Sequence, residues 1–260
     1  GDIDRGDCLV EHALDQLSQR LDVQITLLSD APNALKHLLP VKLYIGARRV
    51  NARAALIERK ISSLAPGQTS MAQLILDAPI SAYSGERFVL RDDSESFLIG
   101  GGVVLDPIGP QRGKAKPQRL KWLRALATGS IDTALENLLE SDMTIKWSDL
   151  ARTFHLNKGP PVPPLPDTAV KFDLNQITWI TTRNAITVAR QALLTALRDA
   201  NKQDSDSRGI PRDNLIKLAA NDSQAALLEA TLTTLTKTGA LGVTDGRVHD
   251  VKSHSEPNAN

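Results

Sequence analysis

Cysteine, aromatic residues and long apolar runs are all scarce in this 260-residue sequence. The single cysteine, Cys8, excludes a disulfide scaffold and any multi-cysteine zinc or iron–sulfur site, and it suits a reducing compartment. No apolar run approaches the roughly 18 residues that a membrane-spanning helix needs, and the acidic segment Gly1–Val10 lacks a signal-like apolar region. We therefore expect a soluble cytoplasmic protein without a membrane partner.

Recognisable catalytic motifs are missing as well. The stretch from Gly109 to Gly113-Lys114 has one residue too few for a phosphate-binding P-loop, and Ala115 stands where Ser or Thr is needed. The triplet Gly100–Gly102 fails the dinucleotide-binding spacing because Leu105 occupies its last glycine position. It is more typical of a strand that bends or allows another backbone close to it. The histidines form no i, i+4 pair: His12, His37, His155, His249 and His254. We expect no catalysis, no cofactor and no metal site in this chain.

The net charge of +1 is the sum of two opposed regions. Residues 1–106 contain eleven Lys and Arg against fourteen Asp and Glu, whereas the remainder contains twenty against sixteen. The hydrophobic period changes at the same point, from two to about 3.6 residues. The sequence therefore predicts two architectures in one multidomain α+β chain.

The first part alternates apolar and polar residues, which is typical of strands with one buried face. Turn residues such as Gly46, Pro66-Gly67 and Gly85 separate the runs. Several short strands without a long helix indicate a small antiparallel barrel or sandwich. The alternating residues are Leu21, Val23, Ile25 and Leu27; Val41, Leu43 and Ile45; Val50, Ala52, Ala54 and Leu56; Phe88 and Leu90.

After Pro107–Pro110 the apolar spacing becomes helical. It predicts helices over Pro117–Thr128, from a cap at Asp132 or Thr133 to Glu140, and from Ser148 to about Phe154. The proline-rich Gly159–Pro166 cannot be helical. A strand pair over Val170–Leu174 and Ile177–Thr181 follows.

The last third repeats this order. A helical stripe from Ile186 to Ala200 precedes a polar loop, Asn201–Gly209, and Pro211 opens a short helix. A third stripe, from Ala225 to Leu235, is closed by Gly239, and Asp245-Gly246 between apolar residues is a strong hairpin signal. Three helices followed by a two-stranded hairpin predict a winged helix.

Two segments concentrate positive charge. One is Lys42–Lys60, where Arg49 and Arg53 share the strand face opposite Val50 and Ala52. The other is Gln111–Arg124, which holds six cations and no acid. Clustered cations favour phosphate binding, although a solvated face and a flexible linker would have the same composition. The candidate contacts from these clusters are Arg48, Arg49, Arg53, Arg112, Lys114, Lys116, Arg119, Lys121 and Arg124.

Four segments resemble the bacterial selenocysteine-specific translation elongation factors. The run Phe97–Pro107, preceded by Gly85–Arg91, is similar to the end of that family's third domain. The other three are Asp4–Leu9, similar to the end of the second domain, Val41–Ala54, similar to a strand pair of the third, and Arg112–Leu123, similar to the entry into its winged-helix extension.

The resemblance implies a barrel of the elongation factor Tu domain-three type followed by two winged helices. Expected boundaries are 1–19 for the end of the preceding barrel and a linker, 20–107 for the barrel, 108–182 for a degenerate first winged helix, 183–252 for the second, and 253–260 for a disordered tail. It also implies that Arg91, Gly100 and Gly101 lie on a tRNA-facing surface, in a Gly100–Gly102 turn.

The function implied is that of a GTPase that delivers selenocysteyl-tRNA to the ribosome at recoded UGA codons, with GTP and Mg²⁺ bound by a domain outside this chain. The implied partners of this monomeric chain are selenocysteyl-tRNA, the selenoprotein mRNA hairpin, bound mainly by further winged helices, and the ribosome. The chain itself would supply RNA-contacting surfaces.

One alternative remains open: a winged-helix DNA-binding regulator whose barrel is a ligand or dimerisation module. The expected recognition helix argues against it, because the only charges between Asp222 and Thr238 are Asp222, Glu229 and Lys237. So few cations suit packing or spacing better than major-groove docking.

Overall fold

A computed structural model describes residues 17–58, 62–154, 162, 164–203, 209–220 and 225–251. Predictions for Cys8 and the segment around it, for Arg59 and Lys60, for half of the proline-rich run and for the tail from residue 253 lie outside these residues. The chain divides into two compact units, one comprising residues up to Leu138 with Ser148–Pro161, the other Leu139–Trp147 with residues from Val162 onward. Within the described part, no helix is long and apolar enough to cross a membrane.

The first unit is built on a closed antiparallel barrel with the strand order β1-β6-β4-β3-β7-β8. A short pair, β2-β5, accompanies it. The strands are β1 (Leu17–Leu27), β2 (Leu35–Lys36), β3 (Leu39–Ile45), β4 (Arg48–Leu56), β5 (Ser63–Leu64), β6 (Thr69–Ser81), β7 (Arg87–Asp92) and β8 (Leu98–Asp106).

Alternation along each strand builds the barrel core. Leu21, Val23, Ile25 and Leu27 of β1 are at most 1% exposed, and the alternating residues of β3 and the inward positions of β4 from Ala52 onward are buried with them. Burying apolar side chains on one face of each strand stabilises a closed sheet, which also leaves no unpaired edge. The predicted barrel is confirmed.

Strand β6 has no counterpart in the sequence-based prediction, although with 13 residues it is the longest strand of the described chain. It pairs with β1 on one side and with β4 on the other. Residues 71–74 are all buried, including the polar Gln73, so both faces of this stretch are covered. A strand covered on both faces loses the apolar–polar alternation on which the prediction depended.

Helices and short strands make up the rest of the described chain. Pro117 occupies the first turn of α1, as predicted, and Gly239 has a φ of 71° after α6. The elements are α1 (Pro117–Leu126), α2 (Ile131–Glu140), β9 (Ile145–Lys146), α3 (Trp147–Thr153), β10 (Ala169–Leu174), β11 (Ile177–Thr182), α4 (Arg183–Gln203), β12 (Ile210–Pro211), α5 (Arg212–Ala219), α6 (Ala225–Lys237), β13 (Leu241–Thr244) and β14 (Arg247–Asp250).

Among the helix boundaries that differ from the prediction, two change the role expected of named residues. Helix α2 begins at Ile131, so Asp132 and Thr133 lie inside its first turn instead of capping it. Helix α4 extends to Gln203, so the first part of the expected Asn201–Gly209 loop is helical. Both differences lie at helix ends. Polar residues are tolerated in the terminal turns of helices, so the apolar spacing does not mark where the helix begins or ends.

The two three-stranded sheets share one arrangement. In the order β10-β11-β9 a two-residue strand pairs with the second strand of a hairpin, and the order β12-β14-β13 repeats this. Matched by chain order, α2 corresponds to α4 and α3 to α5, which leaves α1 without a counterpart. The residues that would correspond to α6 in the first region lie between α3 and β10 in the chain, and they include the proline-rich run. The winged-helix assignment of either region remains a prediction.

The second of these regions has its own apolar core. Leu193 and Leu197 of α4, Leu215 of α5, Leu232 of α6 and Val248 of β14 pack together there. Its hairpin turns at Asp245 and Gly246, whose φ angles are 50° and 74°. Two consecutive positive φ values are those of the tight turn that an Asp-Gly pair predicts.

Candidate nucleic-acid interface

The first cationic cluster lies on the outer face of the barrel. Arg49, Asn51 and Arg53 are exposed along β4, while Ala52 and Ala54 between and after them are buried. Strand register extends this face across β3 and β7, because Lys42 lies opposite Asn51 on one side and Arg91 on the other. We call Lys42, Arg49, Arg53 and Arg91 the strand cluster.

An acidic turn between β7 and β8 neutralises part of the strand cluster. Lys42 Nζ lies 3.1 Å from Asp93 Oδ1, and Arg49 Nη1 lies 3.2 Å from Glu95 Oε1. The Tyr44 hydroxyl donates a hydrogen bond of 2.5 Å to Glu95 Oε2. Among the described residues, Arg53 and Arg91 form no ion pair. The run of acids after Arg91 was visible in the sequence, but its pairing with β3 and β4 was not.

Asp92 organises this turn. Its carboxylate accepts hydrogen bonds from the Ser94 hydroxyl, from Ser94 N at 3.2 Å and from Phe97 N at 2.6 Å. The Ser94 side chain and these backbone donors favour the ionised form, so they lower the pKa of Asp92 below its ordinary value. Asp93 and Glu95 are thereby carried on an ordered turn.

Arg48 lies apart from the strand cluster, at the start of β4. It lines an open cavity of about 860 Å³ together with Leu17, Tyr44, Arg49 and Ile80, among others. Burial raises the pKa of the neighbouring Glu86 carboxyl, against the opposing effects of the Tyr83 backbone and the Arg48 charge. Arg48 is half-buried, whereas Arg49 and Arg53 are exposed.

The glycine triplet lies within strand β8, so the expected turn at Gly100–Gly102 is wrong. A Cβ on Gly100 would lie 2.5 Å from Thr26 O, and one on Gly101 would lie 2.6 Å from Phe88 O. A Cβ on Gly102 would overlap Gln24 O. Close approach of β1 and β7 therefore requires these glycines, whatever they contact outside the barrel.

The cations of the second cluster differ in their exposure to solvent. Arg112, Lys116, Lys121 and Arg124 are exposed, and Lys114 is half-buried. The side chain of Arg119 is only 17% exposed, although it lies on α1 between two exposed cations. We call residues 111–124 the linker cluster.

The Arg119 side chain points toward the barrel wall, where it forms ion pairs with two carboxylates. Its Nε donates to Asp22 Oδ2 at 2.9 Å, with Nη2 on the same oxygen, and its Nη1 donates to Asp106 Oδ2 at 2.8 Å. Trp122 Nε1 donates to Asp106 Oδ2 at 3.1 Å. This network attaches α1 to the barrel through residues as far as 97 positions apart.

Strand register brings the network together. Asp22 lies opposite Gln73 of β6 and opposite Asp106 of β8, so three polar residues form a row across three strands. All three are buried, and Gln73 Nε2 donates to Asp22 Oδ1 at 2.8 Å and to Pro110 O at 3.1 Å. The segment after β8 therefore covers what would otherwise be an exposed polar row.

Burial and pairing oppose each other in this network. Burial raises the pKa of Asp22, and the Arg119 charge only partly offsets it. Burial acts to lower the pKa of Arg119, but the carboxylates of Asp106 and Asp22 together raise it. The guanidinium is thus charged and paired with two carboxylates of the same chain. Removing it would leave these buried carboxylates without a positive partner.

The described chain combines a closed antiparallel barrel with helices and small hairpin sheets. The fold resembles that of a bacterial selenocysteine-specific elongation factor, EF-Sec, with a TM-score of 0.57 and 17% identity over 91% of this chain and 34% of that one. Residues 20–111 match the family described as "Selenocysteine-specific elongation factor, beta-barrel domain". The barrel of this chain therefore matches that domain family.

Similarity to curated selenocysteine-specific elongation factors extends beyond the barrel. The chain is 26% identical to that of Haemophilus influenzae over 250 residues, which are 94% of this chain and 38% of the relative. It is 27% identical to that of Escherichia coli over 256 residues, 95% of this chain and 38% of the relative. Over 108 residues, 42% of this chain and 17% of the relative, it is 31% identical to that of Desulfomicrobium baculatum.

These comparisons confirm the resemblance that the sequence motifs indicated. The chain spans about two fifths of the length of the Haemophilus and Escherichia relatives, 38% of each. The similarity therefore does not by itself assign the activity of a whole elongation factor to this chain.

Proposed function

We propose that this chain is part of a cytoplasmic selenocysteine-specific elongation factor, a GTPase that delivers selenocysteyl-tRNA to the ribosome at recoded UGA codons. In this proposal GTP and Mg²⁺ bind elsewhere in the parent protein, and the chain carries RNA-contacting surfaces without a catalytic step. The barrel-domain match and the similarity over most of the chain support it.

The observation that carries the RNA-binding part is the exposure of cations on a barrel of this family. Arg53 on β4 and the cations Arg112, Lys121 and Arg124 of the linker cluster all reach solvent within one compact unit. Each phosphate that such a cation neutralises releases condensed counterions, which favours RNA binding at low salt. Arg119 does not belong to the surface that we propose, because its guanidinium is committed to Asp22 and Asp106.

The regions around the two small sheets are, in our proposal, winged helices that act as an arm toward mRNA and the ribosome. The repeated sheet order supports this. The DNA-binding alternative is less well supported, because α6 carries only Glu229 and Lys237 as charges, and Arg212 Nη2 lies 3.9 Å from Glu229 and donates to Thr233 at 2.7 Å. Such a helix offers few cations to a phosphate backbone.

Binding of the 260-residue chain to selenocysteine tRNA and to a bulk elongator tRNA at one fixed salt concentration tests this proposal. We expect tighter, salt-sensitive binding to selenocysteine tRNA in fluorescence anisotropy. Equal weak binding to both RNAs would contradict the tRNA-binding part. Tight, salt-sensitive binding to random duplex DNA would favour the regulator instead.

Variants locate the surface. Replacing Arg53 and Arg91 together with Gln should reduce the slope of log K against log salt by about one for each phosphate that the variant no longer neutralises. Lys237→Gln, an exposed cation at the end of α6, is the matched control and should leave the slope unchanged. If the control lowers the slope equally, binding is distributed over the whole chain.

A further inference from the structure

The outer face of helix α4 carries a series of cations that neither charge cluster includes. We propose that three of them, Arg183, Arg190 and Arg198, form a docking surface for the phosphate backbone of RNA. We call these residues the arginine stripe. The inference deepens the proposed function and rests on it for the choice of RNA as the polyanion.

Helical spacing places the arginine stripe on one face. Arg183, Arg190 and Arg198 are seven and eight positions apart, and each interval is close to two turns of about 3.6 residues. The three residues therefore lie within about 80° of one another around the helix axis, at intervals of roughly 10–12 Å along it. All three are exposed. Because the cations are dispersed along the helix, they do not form a run in the sequence.

The opposite face of α4 fixes the direction of the stripe. Ala185, Ala189, Leu193 and Leu197 are at most 2% exposed and belong to the apolar core that also contains residues of α5, α6 and β14. Rotation of the helix about its axis would expose this core to water, which is unfavourable. The arginine stripe is therefore carried on a rigid element and faces solvent.

Acidic groups leave the stripe without neutralisation. Asp199 is the only acid of α4, and its Oδ1 lies 3.8 Å from Lys202 Nζ. Asp142 accepts a hydrogen bond of 2.6 Å from Asn184 at the start of the helix. Within the described part of the chain, no member of the arginine stripe forms an ion pair. The stripe thus differs from the strand cluster, where an acidic turn pairs with Lys42 and Arg49.

The length of the stripe favours a polymeric anion. From Arg183 to Arg198 the helix rises by roughly 22 Å, which is too long for one phosphate group to contact every member. A nucleic acid backbone presents phosphates in series, and each contact releases condensed counterions. The planar guanidinium also suits phosphate, because it donates two parallel hydrogen bonds.

Other polyanions fit this surface less well. An amphipathic helix binds an anionic membrane by inserting its apolar face, and the apolar face of α4 is buried in the core. The centre of a protein interface is depleted in charge, whereas here polar Thr187 and Gln191 lie exposed among the arginines. RNA is the partner that needs only the exposed charges.

Binding of the 260-residue chain to a fully paired RNA hairpin, measured by fluorescence anisotropy over a range of salt concentrations, tests the inference. The triple variant Arg183→Gln, Arg190→Gln, Arg198→Gln should lower the slope of log K against log salt by about two to three, and affinity at low salt by roughly tenfold or more. An unchanged slope would overturn the inference.

A second triple variant controls for net charge. Lys36→Gln, Lys217→Gln and Lys237→Gln remove three exposed cations that lie on β2, α5 and α6. This variant has the same net charge as the first and should leave the slope and the affinity nearly unchanged. An equal loss in both variants would show that binding follows net charge, and would overturn the assignment to α4.

Adding a charge tests the same face without removing any contact. Gln191→Lys places a further cation among the arginines and should raise the slope by about one. Asn214→Lys, an exposed position of α5, is the matched control and should not. Equal gains would contradict the inference. Thermal unfolding of each variant checks that the helices remain folded, and Gln191→Lys keeps the test valid if the first triple variant unfolds.

The outcomes separate this inference from the proposed function. If the chain binds RNA and the arginine stripe makes no difference, the inference fails and the proposed function stands. If the chain binds neither the hairpin nor tRNA, both fail. Binding of phosphatidylserine vesicles through the stripe, without RNA binding, would overturn the choice of RNA.

Discussion

The strand cluster and the linker cluster look alike in the sequence but are neutralised from opposite sides. An exposed turn, Asp92–Glu95, reaches the strand cluster from outside and pairs with Lys42 and Arg49. The carboxylates that meet the linker cluster lie beneath it in the barrel wall, and they draw Arg119 inward. A run of like charges therefore predicts a cationic region but not which of its members face solvent.

Breaking the inward network should have the largest effect. Arg119→Met leaves Asp22 and Asp106 buried without their guanidinium, and we expect the free energy of unfolding to fall by about 3 kcal/mol. Chemical denaturation measures this. Lys121→Met, an exposed position of the same helix, is the control and should change stability by less than about 0.5 kcal/mol. Equal effects of the two substitutions would mean that the network is not a stabilising attachment of α1.

Weakening the outer turn should affect binding more than folding. Glu95→Gln removes the negative charge 3.2 Å from Arg49, a side chain that is 59% exposed. Exposed pairs contribute at most about 1 kcal/mol to stability, so unfolding should change little. RNA affinity should rise by up to roughly fivefold at low salt, since about 1 kcal/mol of competing attraction is removed. Glu136→Gln, at an exposed position of α2, should leave affinity unchanged.

The smallest effect concerns the pH dependence of the same turn. The pKa of Asp92 is lowered in the folded state from its ordinary value of 3.8. Its stabilising contribution is therefore fully present above that value and is lost as the pH falls through the lower folded pKa. Asp92→Asn should destabilise the chain at neutral pH, and the difference from the unsubstituted chain should narrow below pH 3.8 in unfolding measurements. A constant difference across this range would contradict the role assigned to the carboxylate.

Local periodicity was enough to predict most of the elements. Alternation identified β1, β3, β4 and β7, and Asp245-Gly246 identified the last hairpin, because these signals depend only on neighbouring residues. Strand β6 was missed, since both of its faces are covered and its apolar run does not alternate. The glycine triplet of β8 was expected to allow a close backbone approach, but β1, one of the two strands that approach it, is distant in the sequence.

The candidate site was less predictable than the fold. The sequence correctly indicated that Arg49 and Arg53 share an exposed face, because strand parity follows from position alone. It did not indicate that Arg119 differs from Lys121 and Arg124, which lie in the same cationic run. Nor did it indicate that Arg20 donates to Gln73 and accepts a hydrogen bond from Gly109 N.

The sequence by itself determined where most strands and helices form, where charge is concentrated, and which family the motifs resemble. Each of these depends only on residues that are close together in the chain. Tertiary structure alone decided that Asp22, Gln73 and Asp106 form one buried row, and that Arg119 meets it from 97 positions away. Strand register and burial make these partners neighbours. Both arise only when the barrel closes, so no local pattern of residues records them.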